Sequence, residues 1–145
     1  MQASLKKAFT MVELVFVIVV IGILSAIAIP KLAATRDDAH ITRGLSTLSA
    51  VRSAITTERQ KMILRGDMSG ISNLRGTGTG VFTTFNDVNG SRVLEYDVES
   101  CSRIGCWSTT NGTVYTFVTP SGDCTYTLQN NRFEDTTTGG CTDMN

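Results

Sequence analysis

The sequence has no excess of charge of either sign and almost no histidine. Among its 145 residues, 13 are lysine or arginine, 13 are aspartate or glutamate, and one is histidine. Nucleic-acid-binding domains commonly carry a basic excess, which this chain lacks. No histidine stands near a cysteine nucleophile, and no paired carboxylates form a recognisable catalytic motif. We therefore predict that the chain is not an enzyme and uses no cofactor or small-molecule substrate.

Charged residues are also absent from a long segment near the N-terminus. No charged side chain lies between residues 14 and 30, and the apolar run reaches back to Phe9 with Glu13 as its single acid. At about 1.5 Å per residue, a helix of this length matches a hydrocarbon core of about 30 Å. A lone strand cannot satisfy its backbone groups in lipid, so the run predicts a transmembrane helix over residues 9–30. Two lysines before the run predict a cytoplasmic N-terminus.

Two plainer interpretations of this run are a cleavable secretory signal and a simple single-pass anchor. The apolar core is longer than the roughly 7 to 15 residues of a secretory signal, which argues against cleavage after the run. Neither interpretation accounts for Glu13. A carboxylate inside a membrane segment costs a few kcal/mol, so it indicates a functional site that needs a partner.

The string KKAFTMVEL at residues 6–14 resembles the processing site of type IV pilins and of the pseudopilins of type II secretion and DNA-uptake machines. In that family a prepilin peptidase removes a short basic leader, here residues 1–8, and the new terminal amine is methylated. The resemblance places the cut between Ala8 and Phe9, although the family usually has Gly where this chain has Ala8. Three family positions, a Glu, a Gly and a Pro at fixed spacing after the cut, match Glu13, Gly22 and Pro30.

The resemblance implies an assembly role for these three positions. Glu13 of an incoming subunit is expected to pair with the Phe9 amine of a neighbour, because a buried charge is tolerable only when it is paired. The alternative is that Glu13 reaches the lipid headgroups from one turn inside the membrane. Gly22 and Pro30 both weaken a helix, and the resemblance implies that the segment between them loses helicity in the filament. The plainer alternative is a kink at Pro30.

An amphipathic continuation of the helix is predicted over residues 31–65, ending where glycines accumulate. The arginines carry no interleaved aromatics, so DNA binding is disfavoured. Arg52 and Arg59 fall within the apolar arc, and we expect their stems to pack while their charged heads reach out. His40 is interpreted as a surface residue. The arc, which is expected to hold the C-terminal domain, consists of Ile41, Leu45, Leu48, Val51, Ile55 and Met62.

A head domain is predicted over residues 66–145, where Thr, Val, Tyr and Phe alternate with turn residues. Asn-Gly at residues 111–112 and Asn-Asn at residues 130–131 are hairpin signals. A small antiparallel sheet covering the helix gives an α+β fold, which is also the pilin architecture. The predicted strands are residues 93–98, 113–118, 125–129 and 132–135.

Four cysteines, all in the head, favour an oxidising compartment. Three pairings are open from the sequence alone. We favour Cys101 with Cys106 and Cys124 with Cys141, the second of which resembles the C-terminal loop that many pilins close by a disulfide. A zinc site is the rival, but the spacing is not that of a zinc finger. Calcium binding is disfavoured because no acidic loop is clustered, and solvated acids are expected at Asp123, Asp135 and Asp143.

Asn89 is a candidate glycosylation site, because residues 87–91 satisfy Asn-x-Ser and resemble an extended acidic sequon; ordinary turn chemistry is the alternative. The whole pattern predicts a pilus subunit anchored in the bacterial inner membrane, its head periplasmic, or extracellular once assembled. Its expected partners are the prepilin peptidase, other pilins or pseudopilins, and an assembly platform with its ATPase. A pseudopilin of a secretion or DNA-uptake machine is one alternative. A membrane-anchored periplasmic binding domain that never assembles is another.

Overall fold

The computed structural model describes residues 9–75, 79–87 and 91–144. It divides the chain into two compact units, Met1–Arg36 and Asp37–Asn145. Helix α1 (Met11–Leu64) runs through both. The elements that follow are β1 (Gly80–Val81), a 3-10 turn (Phe85–Asp87), β2 (Val98–Glu99), β3 (Trp107–Thr109), β4 (Val114–Thr119), β5 (Gly122–Gln129), β6 (Arg132–Asp135) and a second 3-10 turn (Thr142–Met144).

Helix α1 matches the helix predicted over residues 9–65 to within two residues at each end. It ends because Gly66 adopts a left-handed conformation with φ of 80°, which few residues other than glycine adopt readily. The Asp67 N–H then donates to the Met62 carbonyl at 2.9 Å, and the Gly66 N–H donates to the Ile63 carbonyl at 3.0 Å. These two bonds satisfy carbonyls that the helix end would otherwise leave unpaired.

The first unit consists of the apolar part of α1. The helix is assigned without a break through Gly22 and Pro30. Within the described residues, α1 is the one helix that is long and apolar enough to cross a membrane, and no residue of its most apolar stretch is buried.

The head contains a four-stranded antiparallel sheet in the order β3-β4-β5-β6 and a separate β1-β2 pair. Strand β4 pairs with β5 through Tyr115 opposite Tyr126, and β5 pairs with β6 through Leu128 opposite Phe133. Because side chains alternate along a strand, these residues all point to one face. The β5-β6 turn has positive φ at both Asn130 (50°) and Asn131 (61°), as a two-residue hairpin of type I′ requires.

The core of the head joins this inner sheet face to the amphipathic part of α1. Four residues of the predicted arc, Leu48, Val51, Ile55 and Met62, are buried, and Leu45 packs against their cluster. The structure therefore confirms the predicted α+β fold. The facing aromatic cluster has ring centroids 4.6 to 6.3 Å apart and consists of Phe82, Trp107, Tyr115, Phe117, Tyr126 and Phe133.

One predicted strand is wrong. Residues 93–98 were predicted as extended, but only Val98 of this segment belongs to a strand. The neighbours Val93 and Leu94 are both buried, at 4% and 6% exposure, whereas neighbouring side chains of a one-sided strand point to opposite faces. The missing strand of the sheet is instead β3, which the sequence analysis did not identify because it has only three residues.

Candidate assembly site

The helix begins with a reciprocal cap between Thr10 and Glu13. The Glu13 N–H donates to the Thr10 hydroxyl at 3.2 Å, and the Glu13 carboxylate accepts from the Thr10 N–H and from its hydroxyl, both at 3.4 Å. This is a capping box, whose signal is Thr-x-x-Glu before an apolar run. This local role of Glu13 was not predicted, since only pairing with a neighbouring subunit or contact with lipid headgroups was considered. Both bonds are long, so the carboxylate is held only loosely to its own helix.

The apolar residues that follow have no cover within the first unit. Sixteen large apolar side chains between Phe9 and Leu32 are exposed, from 36% at Val20 to 83% at Phe9. A β-carbon added to Gly22 would meet nothing within 4 Å. An apolar surface of this size is found on proteins that contact a membrane or other proteins. Glu13 is the single acid on this surface.

In the head, Gly44 lets the helix and the sheet approach each other closely. A β-carbon at this position would overlap the ring of Phe117, which is buried at 1% exposure. Gly44 itself lies on the buried side of α1. The importance of this glycine is not readable from the sequence, because only the three-dimensional contact distinguishes it from Gly22.

The loop closed by Cys101 and Cys106 packs on the helix through His40. The disulfide joins residues whose Cα atoms are 5.5 Å apart. Gly105, with φ of 83°, presents its bare Cα to the His40 ring, which a β-carbon would overlap. His40 is therefore half-buried against this loop and keeps part of its predicted surface exposure.

The C-terminal segment is tied to the sheet by the Cys124–Cys141 disulfide and by two carboxylates. Asp135 accepts from the Thr137 N–H at 2.8 Å and from the Cys141 N–H at 2.9 Å. Burial raises the pKa of Asp135, but these hydrogen bonds and the nearby Arg52 outweigh burial and leave the pKa below its usual value.

The second carboxylate is Asp143. It accepts from the Ser121 hydroxyl and, at 2.8 Å, from the Thr119 hydroxyl, and these bonds lower its pKa. Asp135 and Asp143 were expected to be solvated acids; both stay partly exposed, and their carboxylates also hold backbone or hydroxyl groups of the fold. Among the described residues, no group of three His, Cys, Asp or Glu side chains is arranged to hold a metal ion.

The two arginines on the apolar arc bind backbone carbonyls of the head. The Arg52 Nε–H donates to the Phe133 carbonyl at 3.0 Å, and its guanidinium lies 6.0 Å from the Tyr126 ring centroid. Arg59 donates to the Ser69 carbonyl. Arg52 stays exposed, as predicted, and both guanidinium groups also donate to backbone carbonyls of the head.

The remaining predicted site residues lie on the apolar unit, in the disulfides or outside the described residues. Phe9, Glu13, Gly22 and Pro30 all lie on the apolar unit, and the four cysteines form the two favoured disulfides. Ala8, before the predicted cut, and Asn89, the candidate glycosylation site, lie outside the described residues.

A capped, uncovered apolar helix that continues into a disulfide-bonded sheet domain defines a pilin-like protein. The family profile described as "Prokaryotic N-terminal methylation motif" matches residues 4–29. The chain is 38% identical over 113 residues to the type IV narrow pilus major component PilA5 of Thermus thermophilus, which covers 74% of this chain and 97% of that protein. The chain belongs to the type IV pilin family.

Two further relatives match over less than half of their own length. The type IV major fimbrial protein FimA of Dichelobacter nodosus is 36% identical over 78 residues, covering 54% of this chain and 47% of FimA. A fimbrial protein of Pseudomonas aeruginosa is 43% identical over 49 residues, covering 34% of this chain and 32% of that protein. No solved structure matches the chain significantly. All three relatives are pilus or fimbrial proteins.

Proposed function

We propose that the chain is a structural subunit of a type IV pilus-like filament, polymerised through its N-terminal helix. Prepilin peptidase cuts between Ala8 and Phe9, removing the leader of residues 1–8. Residues 9–30 then hold the subunit in the inner membrane with its N-terminus cytoplasmic, while residues 31–65 carry the periplasmic head of residues 66–145. An assembly platform and its ATPase extract the subunit and add it to the filament.

The observation that carries this proposal is the uncovered apolar surface of α1. Burying an apolar side chain is favourable by about 1.5 to 3 kcal/mol, so sixteen of them amount to tens of kcal/mol. Such a helix stays in lipid or among other helices and does not remain in water. Moving it from lipid into a bundle of like helices gains little hydrophobic energy, because lipid tails are equally apolar. Packing shape and the single acid must therefore determine how the helices associate.

Glu13 is suited to fix the relative position, or register, of neighbouring helices. Cleavage would place a cationic amine on Phe9, one turn before the carboxylate, in an apolar setting. Each of these charges would be costly in free energy if it were buried without a partner. Pairing between neighbouring subunits removes both costs, but only at one alignment of the two helices. The loose cap at 3.4 Å supports this role, because little is lost when the carboxylate leaves Thr10 for a partner's amine.

The intact mass of the protein from its native host tests the proposal in two fractions. A species that begins at methylated Phe9 and is abundant in mechanically sheared surface material is expected for a pilus subunit. The same species confined to membranes would replace the proposal with a pseudopilin of a secretion or DNA-uptake machine. A chain that still begins at Met1, or that is cut beyond Pro30, would overturn assembly and leave an anchored or secreted binding domain.

A further inference from the structure

A small apolar patch is exposed at the end of α1, on the head itself. Ile63, Leu64 and Met68 are 46%, 87% and 74% exposed. They are called here the distal patch. The apolar arc of the same helix is otherwise directed into the core, and Met62, next to the patch, is 8% exposed. The distal patch therefore plays no part in holding the head together.

A groove of about 920 Å³ lies near the other end of the head's helix segment. One wall is α1 around Thr42 and Arg43, and the other is the loop that carries Tyr96. Tyr96 is 53% exposed, and Ile104, between two lining residues, is 47% exposed. The groove lining is thus part polar and part apolar, with two large apolar side chains left open beside it.

The patch and the groove cannot meet within one chain. From Arg43 to Leu64 the helix rises about 32 Å at 1.5 Å per residue. A contact between them therefore requires a second copy, in which the patch of one subunit enters the groove of the next. Such a contact joins two different surfaces, so a free patch remains at one end of a row of subunits and a free groove at the other. Unless the rotation between neighbours closes the row into a ring, the contact repeats indefinitely. This is the geometry of a filament.

The groove lining carries charges of both signs, two of which can each face an opposite charge beside the patch. Arg65 directly follows the patch, and Glu99 lines the groove. Both are exposed, and neither forms an ion pair within the part of the chain that the structure describes. Asp67, beside the patch, has Arg103 as its counterpart in the groove lining. A copy of this chain therefore offers the groove both an apolar insert and opposite charges.

We infer that the distal patch of one subunit docks in the groove of another copy, so that the head domains of neighbouring subunits contact each other along the filament. The inference rests on the proposed function, because three side chains alone give a weak contact. Once the apolar helices hold two subunits together, the second contact becomes intramolecular in effect and is strengthened by the high local concentration. The contact then orients the heads, while α1 holds the polymer.

The test is site-specific photo-crosslinking in assembled fibres, with benzoylphenylalanine at Leu64 of the full chain. Irradiated sheared fibres are expected to give dimers whose crosslinked peptide contains Tyr96 or Ile104. The control carries the same probe at Glu134, whose side chain is 55% exposed on β6, and is expected to give no crosslink to those peptides. Fibres whose Leu64 probe reaches another peptide, another protein or nothing overturn the inference and leave the proposed function standing. Absence of wild-type fibres overturns both.

A charge exchange provides an independent readout. Arg65→Glu and Glu99→Arg are each expected to lower the yield of sheared fibres about two- to fivefold, the range that a surface ion pair supports. The double variant Arg65→Glu/Glu99→Arg is expected to return the yield toward that of the wild type. Both positions are exposed, so the variants are expected to fold, and an unchanged far-UV circular dichroism spectrum checks this. A double variant no better than the worse single variant contradicts the contact.

Discussion

Thr10 and Glu13 cap the first turn of the helix for each other, with the Glu13 N–H 3.2 Å from the Thr10 hydroxyl and the Glu13 carboxylate 3.4 Å from the Thr10 N–H. The residue proposed to join subunits therefore has a second, local role. Shortening the Glu13 side chain would remove both roles at once, so such a substitution cannot separate them.

Glu13→Gln separates the charge from the cap, because glutamine at this position of a capping box still reaches the N-cap N–H. We expect fibre yield to fall roughly a hundredfold or more, since losing one partner of a buried ion pair costs about 3 to 5 kcal/mol. Membrane insertion and removal of the leader are expected to remain, and the intact mass of the membrane fraction measures both.

Thr10→Ala is the matched control for Glu13→Gln. It removes the cap, at a cost of about 1 kcal/mol, and keeps the carboxylate. Its fibre yield is expected to stay within about tenfold of the wild type. If Thr10→Ala impairs fibres as severely as Glu13→Gln, capping and not pairing is the role of Glu13.

Gly44→Ala is expected to destabilise the head. Alanine gains about 1 kcal/mol of helix propensity over glycine. The new β-carbon overlaps the Phe117 ring, however, and forcing a packed core apart costs about 1 to 3 kcal/mol. The urea midpoint of the full chain in detergent is expected to fall. Adding Phe117→Leu, which withdraws the ring, is expected to recover part of the loss.

The same substitution at Gly22 is the control for the Gly44 prediction. A β-carbon there meets nothing within 4 Å, so Gly22→Ala is expected to leave head stability unchanged and to stabilise the helix. If both variants lower the urea midpoint equally, close packing on Phe117 is not what requires glycine at position 44.

The helix was predictable because its signals are local. An uncharged run, a 3.6-residue apolar period and a glycine at the end predict residues 9–65, and the structure has Met11–Leu64. Spacing alone leaves three disulfide pairings open, and the resemblance supported only the Cys124–Cys141 pair. Fold class and the N-terminal features are thus readable from short stretches of sequence.

The contacts within the head were not predictable, because they join distant parts of the chain. Glycine at position 44 is locally a helix-weakening residue, and only the Phe117 ring explains it. Asp135 and Asp143 look like surface acids until the C-terminal segment folds back to them. Val93 and Leu94 have strand propensity, but both are buried side by side in a loop.

Acid is expected to loosen the C-terminal segment through Asp135. Its pKa is lowered in the folded protein, so the stability it contributes is present above the unfolded value near 4 and is lost as pH falls through the folded value. The urea midpoint of the wild type is expected to drop below about pH 4. In Asp135→Asn the drop is expected to be shallower, with lower stability at pH 7. A variant as acid-sensitive as the wild type would exclude Asp135 as a contributor.

The two disulfides are expected to differ in both accessibility and importance. Cys124 and Cys141 are buried at 4% and 3% exposure and close a loop of sequence separation 17, whereas Cys101 and Cys106 are half-buried and separated by 5. Mild reductant should therefore release the Cys101–Cys106 pair first, which alkylation and mass mapping detect.

Loop-closure entropy predicts a stabilisation of about 3 kcal/mol for the longer loop and about 2 kcal/mol for the shorter one. Cys124→Ser/Cys141→Ser is therefore expected to lower the urea midpoint more than Cys101→Ser/Cys106→Ser, because it also frees the segment that Asp135 and Asp143 hold. The Cys101→Ser/Cys106→Ser variant should instead disturb the wall beside the groove. If the distal patch docks in the groove, this variant folds yet loses the Leu64 crosslink. A disulfide that only stabilised the fold would leave the crosslink in place.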